Sequence, residues 1–215
     1  MSFELPSLHD LDWEDPVAVA DGAERAFDLL TADRWEALIE RVDALPATER
    51  LAQMCEQNHF VKKLVVHDAP DHGYRIRAHL FRGSHTDRPH NHRWSFASMI
   101  LAGRYRHTQY RADGVFEEID PSQLQVVSTR TERVGDWYSL HHTAIHSVSA
   151  ELGTFSLVLR GPAIRDSFRI IGTGRNSSYT VRAAEQESAE ERAMKVMSKG
   201  QLDQALGEVR ALRPQ

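Results

Sequence analysis

Cys55 is the only cysteine in the chain. An internal disulfide is therefore impossible, which fits a reducing compartment. Long apolar runs are missing as well. None approaches the ~20 residues that cross a bilayer as a helix, and the first residues lack the basic-then-apolar pattern of a secretory signal. An excess of positive charge is missing too. The formal net charge is −5, and no basic patch or DNA-binding helical pattern stands out, so nothing points to a nucleic-acid partner. No internal repeat and no low-complexity segment interrupt the chain. These absences make a soluble, cytoplasmic protein the default expectation, with neither a nucleic-acid nor a membrane partner.

What is present suits a sizeable core: 215 residues, 41% hydrophobic and 27% charged, are enough for one domain with extensions. Up to about residue 58 the apolar period is helical. Asp15-Pro16 reads as an N-cap followed by a first helical position, and Val17, Ala20, Ala23, Ala26, Phe27 and Leu30 then form a stripe. A second helix is expected from Ala32-Asp33, with Trp35, Leu38, Ile39, Val42 and Leu45 on one side. Pro46 ends it, and a third helix is expected from Thr48 to about Asn58, with Cys55 as an ordinary buried thiol. Three short amphipathic helices cannot hide their own apolar faces, so they should pack on whatever follows.

From His59 the period changes to 2. Phe60–Val66 and Tyr74–Arg82 read as strands, the second with Ile76, Ala78 and Leu80 on one face and Arg75, Arg77, His79 and Phe81 on the other. Further short strands are expected at Tyr105–Tyr110, Phe116–Ile119, Gln123–Thr129, Trp137–Leu140, Ile145–Ser149, Phe155–Arg160 and Ser167–Ile171, with a hairpin at Ala112-Asp-Gly114. Many short strands without intervening helices indicate an antiparallel sandwich or barrel. The Gly-x-Gly in the loop Gly172–Ser178 is too short to suggest a nucleotide site. Residues 183–199 and then Gln201–Leu212 read as helices separated by Gly200, and the charge run Glu185–Arg192 reads as a solvated face.

The chain is organised around Arg88–Tyr105, read as a strand entered from a proline turn and left through Gly103. Alternation puts His90, His92, Trp94, Phe96 and Ser98 on one face. Two imidazoles at that spacing are close enough to bind one metal ion. With 12 histidines in the chain the spacing alone is weak. Its context is a second stretch, Gly135–Val148, in which a Gly-Asp turn, a short strand and a His-rich bend lead to His146 between Ile145 and Val148.

Together the two stretches resemble the two motifs of the cupin superfamily, over roughly residues 60 to 175, with His90, His92, Gly103 and His146 at the family's positions. The resemblance implies a mainly β fold, a cupin (double-stranded β-helix or jelly-roll) barrel at 59–175, with an N-terminal helical extension at 1–58 and a C-terminal helical tail at 176–215. The tail helices cap the barrel or meet a second subunit, and a homodimer is expected from the family alone. The sequence departs from the pattern where most metal cupins carry a Glu ligand, four residues after the second His; here that residue is Phe96. It also has Val134-Gly135-Asp136 in place of a Pro-x-Gly turn.

The implied metal ligands are thus three neutral imidazoles, His90, His92 and His146, a set similar to that of the thiol dioxygenases. His142, four residues before His146, is the competitor that replaces or joins it, or acts as a neighbouring proton-transfer group. Imidazoles suit zinc, copper, iron and nickel. Iron(II) is the expected ion, with zinc, nickel and manganese as alternatives, and three neutral ligands leave a divalent ion its full charge and open positions for O₂ and an anionic substrate. The expectation is a mononuclear Fe(II) oxygenase for a small polar or anionic, amino-acid-like or thiol-like metabolite. Arg77 is the candidate carboxylate clamp, with Tyr105 and His142 as further catalytic candidates; for each, a plain structural role is the competing reading. The alternatives are a non-oxidative metal cupin (an isomerase, a lyase or an N–N bond-forming biosynthetic enzyme) and a non-catalytic ligand-binding cupin.

Overall fold

The structure is a computed structural model and describes residues 8–31, 35–113, 119–172, 178–182 and 187–212. The expected start of the second helix at Ala32-Asp33, most of the Phe116–Ile119 strand, the Gly-x-Gly loop and the first residues of the 183–199 helix lie outside them.

Helix α1 (Pro16–Thr31) begins as expected, with the Asp15 carboxylate accepting the Val17 amide at 2.9 Å. Its buried side is Val19, Ala23, Ala26 and Phe27, whereas Val17 is 66% exposed. α2 (Trp35–Asp43) buries Leu38 and Val42. The third helix is shorter than expected: α3 (Glu49–Ala52) stops before Cys55, and strand β1 (Glu56–Gln57) follows. Cys55 makes that switch. Its buried thiol donates to the Leu51 carbonyl and accepts the Val65 amide, both at 3.3 Å, which ties the end of α3 to the sheet.

The strands that follow are β2 (Val61–Ala69), β3 (Tyr74–Phe81), β4 (His85–Thr86), β5 (Phe96–Ala102), β6 (Arg104–Arg111), β7 (Gln125–Arg133), β8 (Trp137–Leu140), β9 (Ile145–Ala150) and β10 (Phe155–Arg160). They form two antiparallel sheets, ordered β1-β2-β3-β10-β5-β8 and β4-β9-β6-β7. From β3 to β10 the chain crosses between the sheets at every step but β6 to β7. That interleaving of eight strands is a jelly roll, the expected fold class.

Each face of the larger sheet has its own partner. Ile76, Ala78, Leu80, Met99, Leu157 and Leu159 pack outward in one cluster with Phe27, Leu38 and residues of the last helix. Phe81, Phe96, Ile100, Tyr138 and Val158 face inward with Tyr105 and Val148 of the other sheet. Burial on both faces is why β5 and β10 are buried along most of their length and largely apolar, rather than alternating between apolar and polar. Gly103 makes the tight β5–β6 turn at φ 71°, and a Cβ there would meet the Thr154 Cα at 2.9 Å, so no other residue fits without strain.

The C-terminal part differs from the expectation in two places. β11 (Ser167–Ile170) pairs with an unexpected strand, β12 (Tyr179–Arg182), in an antiparallel hairpin. Helix α4 (Ala189–Lys195) is capped by Ser188, and α5 (Lys199–Ala211) by Ser198. Gly200 therefore lies inside α5 and does not stop a helix. The break falls at Val196, which bridges Glu56 as an extended residue. α5 buries Leu202, Ala205, Leu206 and Val209 against the helical side of the core, and α4 lies on the surface with Met194 74% exposed.

Candidate metal centre

The His-x-His segment is not itself a strand. β5 begins only at Phe96, because residues 89–92 are held as a single extended stretch between β9 and β11. His90 exchanges both backbone hydrogen bonds with His146, at 2.9 Å each. The Pro89 carbonyl accepts the Ile171 amide at 2.8 Å, and the buried Asn91 side chain accepts the Arg169 amide at 2.8 Å. The His92 amide donates to the His142 carbonyl at 3.2 Å. These clamps bring His90 and His92 to His146 of β9.

The donor nitrogens of His90, His92 and His146 lie within 4.8 Å of one another, and the Nε2 atoms of His92 and His146 are 2.8 Å apart. Ligands ~2.1 Å from a common ion stand about 3 Å apart at octahedral angles, so small side-chain adjustments suit this cluster to a metal ion. The tautomers agree. His90 Nδ1 donates to the Arg88 carbonyl at 2.8 Å, which leaves its Nε2 lone pair free to ligate. On the other side a chain of side chains orients His146. His107 donates through Nδ1 to the Glu132 carboxylate at 3.2 Å, so its Nε2 accepts the Nδ1 proton of His146 at 3.1 Å. The Nε2 of His146 is then unprotonated and faces the cluster. Burial, reinforced by the neighbouring histidines, pushes His92 and His146 well below the usual imidazole value. Both are neutral near pH 7, as ligands must be.

No carboxylate joins the cluster among the described residues. Phe96 stands against it instead, its ring 4.6 Å from that of His92 and 5.7 Å from that of His146. The histidines open onto a cavity of about 770 Å³ whose wall includes Arg77, Tyr105, Trp94, Phe96, Tyr138 and Arg160. The Tyr105 hydroxyl is 2.8 Å from that of Tyr138 and 3.2 Å from Ser98 Oγ, and burial pushes the Tyr105 phenol up, so it stays protonated. Arg160 lies over the Trp94 ring at 4.8 Å.

The cavity wall thus includes five of the residues singled out from sequence: Arg77, His90, His92, Tyr105 and His146. His142 is placed elsewhere. Its ring packs on His141 at 4.1 Å, and it is not part of the cavity wall. What His142 gives to the site is backbone, its carbonyl holding His92. Sequence reasoning missed the roles of His107 and Glu132. The expected strand ended at Thr129, and carrying it on to Arg133 sets Tyr105 opposite Glu132 and His107 opposite Arg130.

No protein-family profile and no curated protein matches the chain. Solved structures similar to it include KdgF from Halomonas sp. (16% identity, TM-score 0.38, covering 52% of this chain and 89% of that one). Another is an RmlC-like cupin from Shewanella frigidimarina (18%, TM-score 0.38, 52% and 86%). A third is hydroquinone 1,2-dioxygenase from Sphingomonas sp. TTNP3 (15%, TM-score 0.38, 47% and 66%). The strand order and the histidine cluster together define the class: a jelly roll with a three-histidine site suited to a metal ion.

Proposed function

We propose that the protein is a mononuclear Fe(II) oxygenase for a small anionic metabolite, with His90, His92 and His146 holding the iron. The observation that carries this reading is the donor set, three neutral imidazoles with Phe96 in place of a carboxylate, facing a cavity rich in cationic side chains. When bound, iron(II) would supply a redox centre with coordination positions open to O₂ and substrate. The protein's own groups do the rest. Arg77 and Arg160 attract and orient an anionic substrate. Trp94 and Phe96 line the cavity beside the histidines and limit water there. Tyr105 holds a proton at its hydroxyl, and the Glu132–His107 pair fixes the ring of His146.

The test is metal content by elemental analysis, together with oxygen uptake, on His90→Ala, His92→Ala and His146→Ala. Each variant is expected to lose bound iron and oxygen consumption together. Tightly bound zinc with no oxygen consumption in the wild type would replace this reading with the non-oxidative one.

A further inference from the structure

The chain carries a net charge of −5, yet among the described residues its cavity is walled by five cationic side chains (Lys63, Arg77, Arg88, Arg160 and Lys195) and one carboxylate, Asp87. Part of that charge is concentrated on two strands. Lys63 of β2 and His79 of β3 are direct cross-strand partners, which places their Cβ atoms ~4.5–5.5 Å apart. Arg77 lies two residues along β3 on the same inward face, roughly 7 Å away. Arg77 Nε and His79 Nε2 are shut off from solvent with no hydrogen-bond partner. No ion pair engages Lys63 among the described residues. Its direct cross-strand partner on β1, Glu56, and the cavity's Asp87 favour its charged form without forming an ion pair with it.

Lys63 and Arg77 are half-buried, and leaving such cations unpaired is costly where apolar residues could fill the same positions. Burial is the main cause that pushes all three groups below their usual values; Arg77 adds to the effect on Lys63, and both add to the effect on His79. The arrangement is one that a bound counter-anion completes. β3 and β5 are separated by β10, so their backbones are roughly 10 Å apart. Phe96 of β5 lies against His92, and Arg160, paired with Phe96 in register, lies along the way. A ligand reaching from the histidines to β3 therefore has length as well as charge.

We propose that Lys63, Arg77 and His79 form an anion subsite that takes the far carboxylate or phosphate of a dianionic substrate whose other end reaches the three-histidine centre. This deepens the small-anion reading above and rests on it. The test is isothermal titration calorimetry on the full chain, metal-loaded and chelator-stripped. Glutarate, adipate and phosphoglycolate are compared with butyrate and hexanoate, with melting curves to confirm folding. Dianions are expected to bind the wild type at least about tenfold tighter than monoanions. Arg77→Gln and Lys63→Met should each abolish that preference and leave bound metal unchanged. Stronger binding of phosphoglycolate than of glutarate identifies the far group as phosphate, and the reverse order as carboxylate. In the stripped protein the preference should weaken but still depend on Arg77, which keeps the subsite testable if the metal assignment fails. Equal affinities for dianions and monoanions, or a preference that survives Arg77→Gln, would overturn the proposal.

Discussion

His146 joins three roles at the residue scale: it closes the backbone bridge to His90, meets His92 through Nε2, and is oriented through Nδ1 by His107 and Glu132. Orienting groups of this kind typically contribute 10- to 100-fold to metal affinity. Glu132→Gln and His107→Phe should each weaken metal binding by about that factor in a chelator competition, without abolishing it as His146→Ala does. His79 gives a pH prediction. Burial depresses it well below 6.5, so the folded state binds fewer protons there than the unfolded state does. Its contribution is fully present above about pH 6.5 and is lost as the pH falls toward the folded value, at up to ~1.4 kcal/mol per pH unit. Melting of the chelator-stripped wild type from pH 7 to pH 5 should therefore show a larger loss of stability than the same series on His79→Gln. Parallel losses would contradict this. The three clustered histidines were legible because the two stretches that carry them resemble the two cupin motifs; their spacing alone was a weak signal. Glu132 was not, because it is the one buried residue in β7, a strand whose other residues alternate with nothing.

Among the elements, the turn at Gly103 matters most for the site, because it sets where β6 presents Tyr105 and His107. Gly103→Ala combines a strained φ with a close approach to Thr154, and should cost roughly 1–3 kcal/mol in urea unfolding. An unchanged midpoint would show that the turn relaxes freely. β3 was legible from its period of 2, with Ile76, Ala78 and Leu80 toward the helices and Arg77 and His79 toward the cavity. The start of β5 was not: residues 89–92 alternate like a strand, yet their backbone groups pair singly with β9, β11 and the His142 carbonyl. Gly200 misled for a related reason. Exposed on the first turn of α5, it costs little there, and the chain had already broken at Val196 to pair with Glu56.

At the scale of the whole molecule, the helices and the cavity take opposite faces of one sheet. α1, α2 and α5 cover the outer face, so the inner face of β2, β3 and β10 is free to carry Lys63, Arg77, His79 and Arg160. Composition could not reveal this, because a net charge of −5 averages an acidic exterior with a cationic interior. The mainly β architecture was legible from alternation, and the jelly roll from the two histidine stretches. The pairing of β11 with β12, and of Val196 with Glu56, depends on tertiary contacts that no local pattern encodes. The most direct measurement of the central claim is elemental analysis of the wild type and His146→Ala, with oxygen uptake followed using cysteine and glutarate as probes. The account predicts about one iron per wild-type chain, with oxygen consumed on addition of a small anion, and the loss of both in His146→Ala. Full metal retention in His146→Ala would contradict it.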